Sequence, residues 1–319
     1  MSDCSSLLAL VVLFGWLVTR AWRARNGIVK WAGVIVAGLL TLLFALVLVM
    51  ALKGTSKLSA KHNNPVHDVK VAMTPEQIAR GERYAILCAG CHAADHQLPL
   101  EGSNFGADLP FPIGTLYASN LTPAGELKDW TDGEIIRAIR EVVHKNGRSL
   151  IIMPSDVFHN VSDDDVQAVV AYLRSQPAVE PNTPTNKLNV IGALFMNIAP
   201  VLTAQPPITG PVTEPPEGPT AEYGQYLVYG FGCHSCHGPQ LAGGVPPKGG
   251  ALAPNLTKVV PTWTEAQFVS FFRTGQVPGG EMASDDMPWK EYNVAFTDDN
   301  LKAVYAYLSK LTPVESPAQ

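Results

Sequence analysis

Charged side chains are scarce in this 319-residue chain, at 16% of residues against a hydrophobic fraction of 46%, and that balance excludes a disordered polypeptide. Acids are nearly missing from the first 61 residues, where Asp3 alone stands against Arg20, Arg23, Arg25, Lys30, Lys53, Lys57 and Lys61. The remainder is short of basic residues instead, with 16 against 27 acids. An acidic body lacks the Lys and Arg that neutralise phosphates, so nucleic acid is not an expected partner. A basic docking partner suits it better.

Charge is missing altogether from Trp31 to Leu52, a run of 22 residues. As a helix it would reach about 33 Å, enough for a hydrocarbon core of about 30 Å. The run is too long for a signal peptide, whose apolar stretch is about 7 to 15 residues, and Gly54-Thr55-Ser56 is a poor cleavage site. A retained anchor over 31–52 is therefore expected. An earlier apolar run, taken from Ser5 to Thr19, could just cross a thin bilayer or lie in its interface. The basic cluster Arg20, Arg23, Arg25 and Lys30 between the runs belongs in the cytoplasm, which exports everything after Leu52. The expected location is the bacterial cytoplasmic (inner) membrane, in contact with lipid, with the body on its periplasmic side.

Cysteine is rare as well, yet four of the five fall into one pattern present twice: Cys88-Ala-Gly-Cys91-His92 and Cys233-His-Ser-Cys236-His237. With this composition one C-x-x-C-H is expected in only about two such chains per thousand, and the pattern is the attachment signature of c-type haem. Two thiols a helical turn apart can reach the two vinyl groups of one porphyrin, and the next imidazole then comes under the iron. A thioredoxin-like pair would need a β-α-β context, which neither motif has. A four-cysteine zinc site would need convergence of pairs 145 residues apart, each in its own similar unit. Cys4 reads as a passive residue ahead of the first apolar run, and His234 as a spacer.

A thioether on the far side of the iron raises its reduction potential, so a methionine is sought downstream of each motif. Met153-Pro154 and Met287-Pro288 qualify, and each precedes a similar segment, Ser162 to Leu173 and Thr297 to Leu308. Ser162 and Thr297 read as N-caps followed by first-turn acids. Upstream, Asn120-Leu121-Thr122 is echoed by Asn255-Leu256-Thr257, and Trp130-Thr131 by Trp263-Thr264. The order of features is the same twice, an internal duplication. Met282 competes with Met287; Met196 and His144 qualify on distance alone and read as structural or surface residues.

These features divide the chain into an anchor (1–52), a tether (53–73), a first haem domain (74–177), a linker rich in proline (178–220) and a second haem domain (221–315). Within the linker, the apolar stretch Val190 to Ile198 is expected to pack across the two domains.

The assembled residues resemble the class I cytochrome c fold, an all-α domain wrapped around one haem. The chain is also similar to the multihaem cytochrome c subunits of membrane-bound alcohol, gluconate and aldehyde dehydrogenases. That similarity rests on Gly114 to Pro123, Trp130 to Glu134, Arg137 to Glu141, Gly147-Arg148, Met153-Pro154 and Ser162 to Leu173, within residues 74–315. It implies an all-α protein with two tandem cytochrome c domains behind one or two transmembrane helices. His92 and His237 would be proximal ligands, Met153 and Met287 distal ones, and Cys88, Cys91, Cys233 and Cys236 the thioether sites. The chain departs from those subunits in having two haem motifs where three are common, and in its amino-terminal anchor. The two-haem subunit of cbb3-type terminal oxidases looks similar in layout, with loop signatures that fit less well.

The resemblance implies an electron carrier rather than an enzyme. Two covalent haem c groups with their iron would pass electrons from a membrane oxidoreductase or respiratory complex to a soluble carrier or an oxidase. A di-haem peroxidase, the alternative of a different class, needs an open coordination position that two distal methionines would close. Mass analysis of the mature polypeptide is expected to show two added macrocycles; one or none would remove the basis of this reading.

Overall fold

The computed structural model describes residues 2–109, 111–180, 184–198, 204–244 and 252–317. Its architecture is helical, and strand pairing among the described residues is confined to a two-residue ladder and isolated bridges. Helices α1 (Ser2–Trp22) and α2 (Gly27–Ser59) form an antiparallel pair, and both are long and apolar enough to cross a membrane. Phe14 stacks on Phe44 with centroids 5.4 Å apart, and Trp22 meets Trp31 edge-on at 5.8 Å. At the connecting end Lys30 lies over the Trp22 ring at 4.1 Å and Arg20 over Trp16 at 5.5 Å. Asn26 caps α2 by accepting from the amides of Ile28 and Val29. The earlier apolar run is thus a full helix, and α2 continues past Leu52 to Ser59.

The first repeated unit follows. Helix α3 (Pro75–His92) carries the first cysteine motif and starts at the Thr74 cap, with proline at the position where a missing N–H costs nothing. Helix α4 (Asp132–Glu141) starts in a capping box between Thr131 and Glu134. A single turn, α5 (Ser155–Phe158), follows Met153-Pro154, and the closing helix α6 (Asp163–Ser175) is capped by Ser162 as its sequence predicts. The linker then holds α7 (Val190–Ile198). The second unit repeats the order: α8 (Ala221–Gly230), α9 (Cys233–His237) with the second motif, α10 (Leu256–Val259), α11 (Glu265–Thr274), α12 (Trp289–Ala295) and α13 (Asp298–Leu308). Thr264 with Gln267 and Thr297 with Asn300 form capping boxes here too.

In each unit the first helix crosses the closing helix at a glycine. A Cβ on Gly81 would lie 1.8 Å from the Ala168 carbonyl oxygen, and one on Gly224 would lie 1.9 Å from that of Ala303. Ala85, Ala89, Ala168, Ala171 and Ala303 are fully or almost fully buried, so small residues let the backbones approach and close the apolar core. That core is continuous through both units, running from Tyr84 and Trp130 to Tyr223, Phe268 and Leu301.

The segments flanking the first unit are pinned rather than free. Asn64 donates to Glu141 Oε2 at 2.6 Å, and the Val71 amide to Asp132 Oδ2 at 3.0 Å. From the linker, the Ile208 amide donates to Glu141 Oε1 at 2.9 Å and the Asp163 amide to the Val212 carbonyl at 2.8 Å. Helix α7 packs on α2 instead of bridging the two repeated units. The reason is steric: Ala51, Gly54 and Ala193 form a small-residue seam where a Cβ on Gly54 would sit 1.8 Å from the Ala193 oxygen. A two-residue antiparallel pairing of β1 (Gly114–Thr115) with β2 (Lys187–Leu188) ties the start of α7 to the first unit.

The two crossings give a direct stability test. Gly81→Ala and Gly224→Ala should each destabilise their unit by about 1–3 kcal/mol through overpacking against backbone, measured by denaturant unfolding of the holoprotein. Unchanged midpoints would mean that the crossings are looser than described.

Candidate functional site

Cys88, Cys91 and His92 stand at positions i, i+3 and i+4 of α3, so a helical turn puts them on one side of the helix. They line one largely apolar cavity, open on one side, together with Met153 and Pro154. Leu87, Leu116, Leu150, Val166 and Val169 supply apolar wall, while Tyr117, Arg148 and Asn186 supply polar positions. The structure therefore gathers all four first-unit candidates into one space. Ile152, directly before Met153, has φ 58, a left-handed conformation that costs a β-branched residue free energy and is held by its surroundings.

His92 Nδ1 lies 2.8 Å from the Ser119 carbonyl oxygen. A carbonyl can only accept, so the proton sits on Nδ1 and the lone pair is left on Nε2, the tautomer a metal-binding imidazole needs. Burial holds the His92 pKa below its ordinary value, which keeps the ring neutral. Burial also pushes the Cys88 thiol up to about 12. Among the described residues no group of three or more His, Cys, Asp or Glu side chains could hold a metal ion, as a zinc site would require.

The second unit reproduces this arrangement atom for atom at the imidazole. His237 Nδ1 donates to the Pro254 carbonyl at 2.8 Å, and burial again lowers its pKa. Ser119 and Pro254 each precede an Asn-Leu-Thr loop, and both loops are clamped alike. Asn120 Oδ1 accepts from the Thr122 amide and hydroxyl at 2.8 and 2.7 Å, and its amide donates to Val179 O at 2.8 Å. Asn255 Oδ1 accepts from the Thr257 amide and hydroxyl at 3.0 and 2.6 Å, and its amide donates to Val314 O at 2.8 Å. The carbonyl that orients each imidazole is thereby tied to the chain just beyond the closing helix.

Cys233 is pushed up to about 12 by burial and contacts Tyr292, whose hydroxyl donates to the Phe231 carbonyl at 2.7 Å. Met287 packs partly buried against the core, whereas Met282 is 58% exposed, with its methyl close to Gly275. Met196 is buried and its carbonyl accepts from Lys57 Nζ at 3.2 Å, His144 Nε2 bonds Glu126 at 2.9 Å, and His234 faces Asp156 at 3.7 Å. Met196 and His144 are thus structural residues, and His234, read from the sequence as a spacer, also meets the first unit.

Several site residues were not evident from the motifs. Arg148 stands in the sequence only within the Gly147-Arg148 signature, with no role; the structure sets its guanidinium in the wall of the first cavity. Phe231 is another: it comes from the second unit, yet it lines the first unit's cavity and stacks on Tyr84 with centroids 4.5 Å apart. Its signal is a spacing difference between the repeats, since Gly81 leads Cys88 directly within α3, while Phe231-Gly232 interrupts the helix between Gly224 and Cys233. Gly232 takes φ 89, which a glycine adopts without cost. The units are locked further by Tyr226, whose hydroxyl donates to Asp165 Oδ2 at 2.5 Å and accepts from the Ser162 amide at 3.1 Å. Asp165 is fully buried and also pairs with Arg80 Nε at 2.6 Å.

The donor set suits a covalently held haem: paired thiols, an imidazole with its Nε2 free, a thioether in the same apolar cavity, and a guanidinium able to face carboxylates. The sequence matches the family model described as Cytochrome c over residues 57–177 and again over 221–312. It is 29% identical over 278 residues to the cytochrome c subunit of the quinone alcohol dehydrogenase of Gluconobacter oxydans, 74% of this chain and 55% of that subunit. It is 28% identical over 272 residues to the gluconate 2-dehydrogenase cytochrome c subunit of Pantoea cypripedii, 73% of this chain and 59% of that subunit. A subunit of the nicotinate dehydrogenase of Pseudomonas putida is 30% identical over 265 residues, 73% of this chain and 21% of that protein. The chain spans little more than half the length of the cytochrome c subunits it matches. Repeated motif, repeated imidazole geometry and repeated family match lead to one conclusion: the chain belongs to the cytochrome c family, whose cysteine motif holds haem c and its iron covalently.

Proposed function

We propose that this chain is a membrane-anchored di-haem electron carrier. In this reading it relays electrons on the periplasmic side of the bacterial cytoplasmic membrane, from a dehydrogenase or quinol-oxidising complex to a soluble carrier or terminal oxidase. The observation that carries it is the duplicated imidazole, with Nδ1 committed to a backbone carbonyl at 2.8 Å in both units. Cys88 and Cys91 hold one haem and Cys233 and Cys236 the other, with His92 and His237 as proximal ligands. When bound there, haem c supplies one-electron Fe(III)/Fe(II) exchange.

The chain's own work is to bind, orient and exclude water. Apolar walls cover most of the first site, and Arg148 is the cation in its lining that can offset carboxylate charge. Met153 and Met287 serve as distal ligands; packing favours Met287 over the exposed Met282. The Tyr84–Phe231 stack and the Tyr226–Asp165 bond hold the units at a fixed separation, which a relay needs and two free domains would lack. Anchoring is supported by the two apolar helices and by the basic, tryptophan-bearing turn between them. A dehydrogenase is the partner class suggested by the named relatives.

Two measurements test this. Unmutated holoprotein should be low-spin at both centres and resist carbon monoxide; Met153→Ala and Met287→Ala should each open one centre to it, while Met282→Ala should not. Ready carbon monoxide binding by the unmutated protein would favour a peroxidase instead. Phe231→Ala should slow electron equilibration between the centres in flash-initiated reduction, leaving the Met153-ligated absorption intact; an unchanged rate would remove Phe231 from the relay.

A further inference from the structure

Helix α7, read from sequence as part of a linker, has no charged residue and lies along the last turns of α2. Val190 and Ala193 join Leu7, Val47, Leu48 and Ala51 in one apolar cluster. Farther along, Asn197 Nδ2 donates to the Met50 carbonyl at 2.8 Å, and Lys57 Nζ to the Met196 carbonyl at 3.2 Å. Its contacts thus run from Met50 through Gly54 to Lys57, about 10 Å along α2 at 1.5 Å per residue. The charge-free run of α2 ends at Leu52 and is followed by Lys53 and Lys57. Helix α7 therefore straddles the level at which α2 changes from apolar to basic.

The other face of α7 is apolar too. Ile191, Leu194 and Phe195 are spaced i, i+3 and i+4 and share one side, with Ile191 45% exposed and Leu194 and Phe195 half-buried. Phe111 of the first unit lies against Phe195 with centroids 5.3 Å apart and enlarges the patch. In water this surface would be uncompensated, whereas at the boundary between headgroups and acyl chains it is stabilised by burial.

We propose that α7 is an interfacial membrane helix, seated in the lipid boundary through Ile191, Leu194 and Phe195, with Phe111 beside it. This rests on the reading that α1 and α2 cross the bilayer, because that reading sets the level at which α7 lies. The occupant is lipid, since the patch continues the surface of a membrane-crossing pair at the depth where its apolar run ends. The consequence reaches the first haem site. The Asn189 amide donates to Ile113 O at 3.0 Å, and Asn186 accepts from the Tyr117 amide at 2.7 Å and donates to its carbonyl at 3.1 Å. Tyr117 and Asn186 both line the first cavity, so docking of α7 holds that rim at the membrane surface.

The test uses the full-length holoprotein with Cys4→Ser, in nanodiscs of zwitterionic and anionic phospholipid. Nitroxide labels are attached at Ile191→Cys, at Leu46→Cys within α2, and at Val294→Cys on the second unit. Collision with oxygen and with a water-soluble nickel chelate is read by power-saturation electron paramagnetic resonance. The label at position 191 should favour oxygen over nickel several-fold relative to that at 294, at a shallower depth than that at 46. A water-like label at 191 beside a lipid-like one at 46 overturns the interfacial helix while leaving the anchor standing. Water-like labels at both positions overturn the anchor itself. A label at 191 shielded from both reagents and broadened by spin-spin coupling overturns the lipid assignment in favour of a second copy of this chain.

Discussion

A single type of hydrogen bond, imidazole Nδ1–H to a backbone carbonyl, carries the rest of the design. Ser119 O and Pro254 O can only accept, so they assign the tautomer of His92 and His237 and leave the Nε2 lone pair free. Burial keeps both rings neutral, and a protonated ring could not ligate. The carbonyls are held by the Asn120 and Asn255 clamps, and those clamps reach Val179 and Val314 beyond the closing helices. The position of each ligating nitrogen therefore depends on motif helix, loop and closing helix together. That dependence explains why the duplication preserves the whole sequence of features.

Around these clamps the two units share one core. The glycine crossings at Gly81 and Gly224 let the first helix of each unit, α3 and α8, approach its closing helix within backbone contact. The insertion of Phe231-Gly232 breaks the second motif helix and sends Phe231 into the first unit, against Tyr84. Tyr226 then takes up the second oxygen of a buried carboxylate whose first is paired with Arg80. A buried Asp165 with only one partner would be costly, so the interface is selected by the need to satisfy that group. Two sites held by one core keep a constant separation, which distance-dependent electron exchange requires.

The linker acts as a strut rather than a spacer. Gln205, Ile208 and Val212 bond to Glu141 and Asp163 of α4 and α6, while the linker's apolar part folds as α7 against α2. Orientation of the first unit relative to the helical pair is thereby set by packing at Ala51, Gly54 and Ala193, where only small side chains permit contact.

Local spacing made much of this legible beforehand. The cysteine motifs, the caps at Ser162 and Thr297, the repeated Trp-Thr pairs and the apolar run of α2 are all decided within a few residues of chain, so composition and periodicity reveal them. The expected packing of Val190 to Ile198 across the two domains was not met, because an apolar stretch states that it will be buried without stating against what. Phe231 stayed hidden for the same reason, as did the place of Arg148 in the cavity wall. By itself the sequence determined the helical class, the duplication and the attachment chemistry, since these follow from residue type and interval. Only the tertiary structure decided which carbonyl orients each imidazole, which unit Phe231 serves and which surface α7 covers, because those outcomes depend on contacts between residues far apart in the chain.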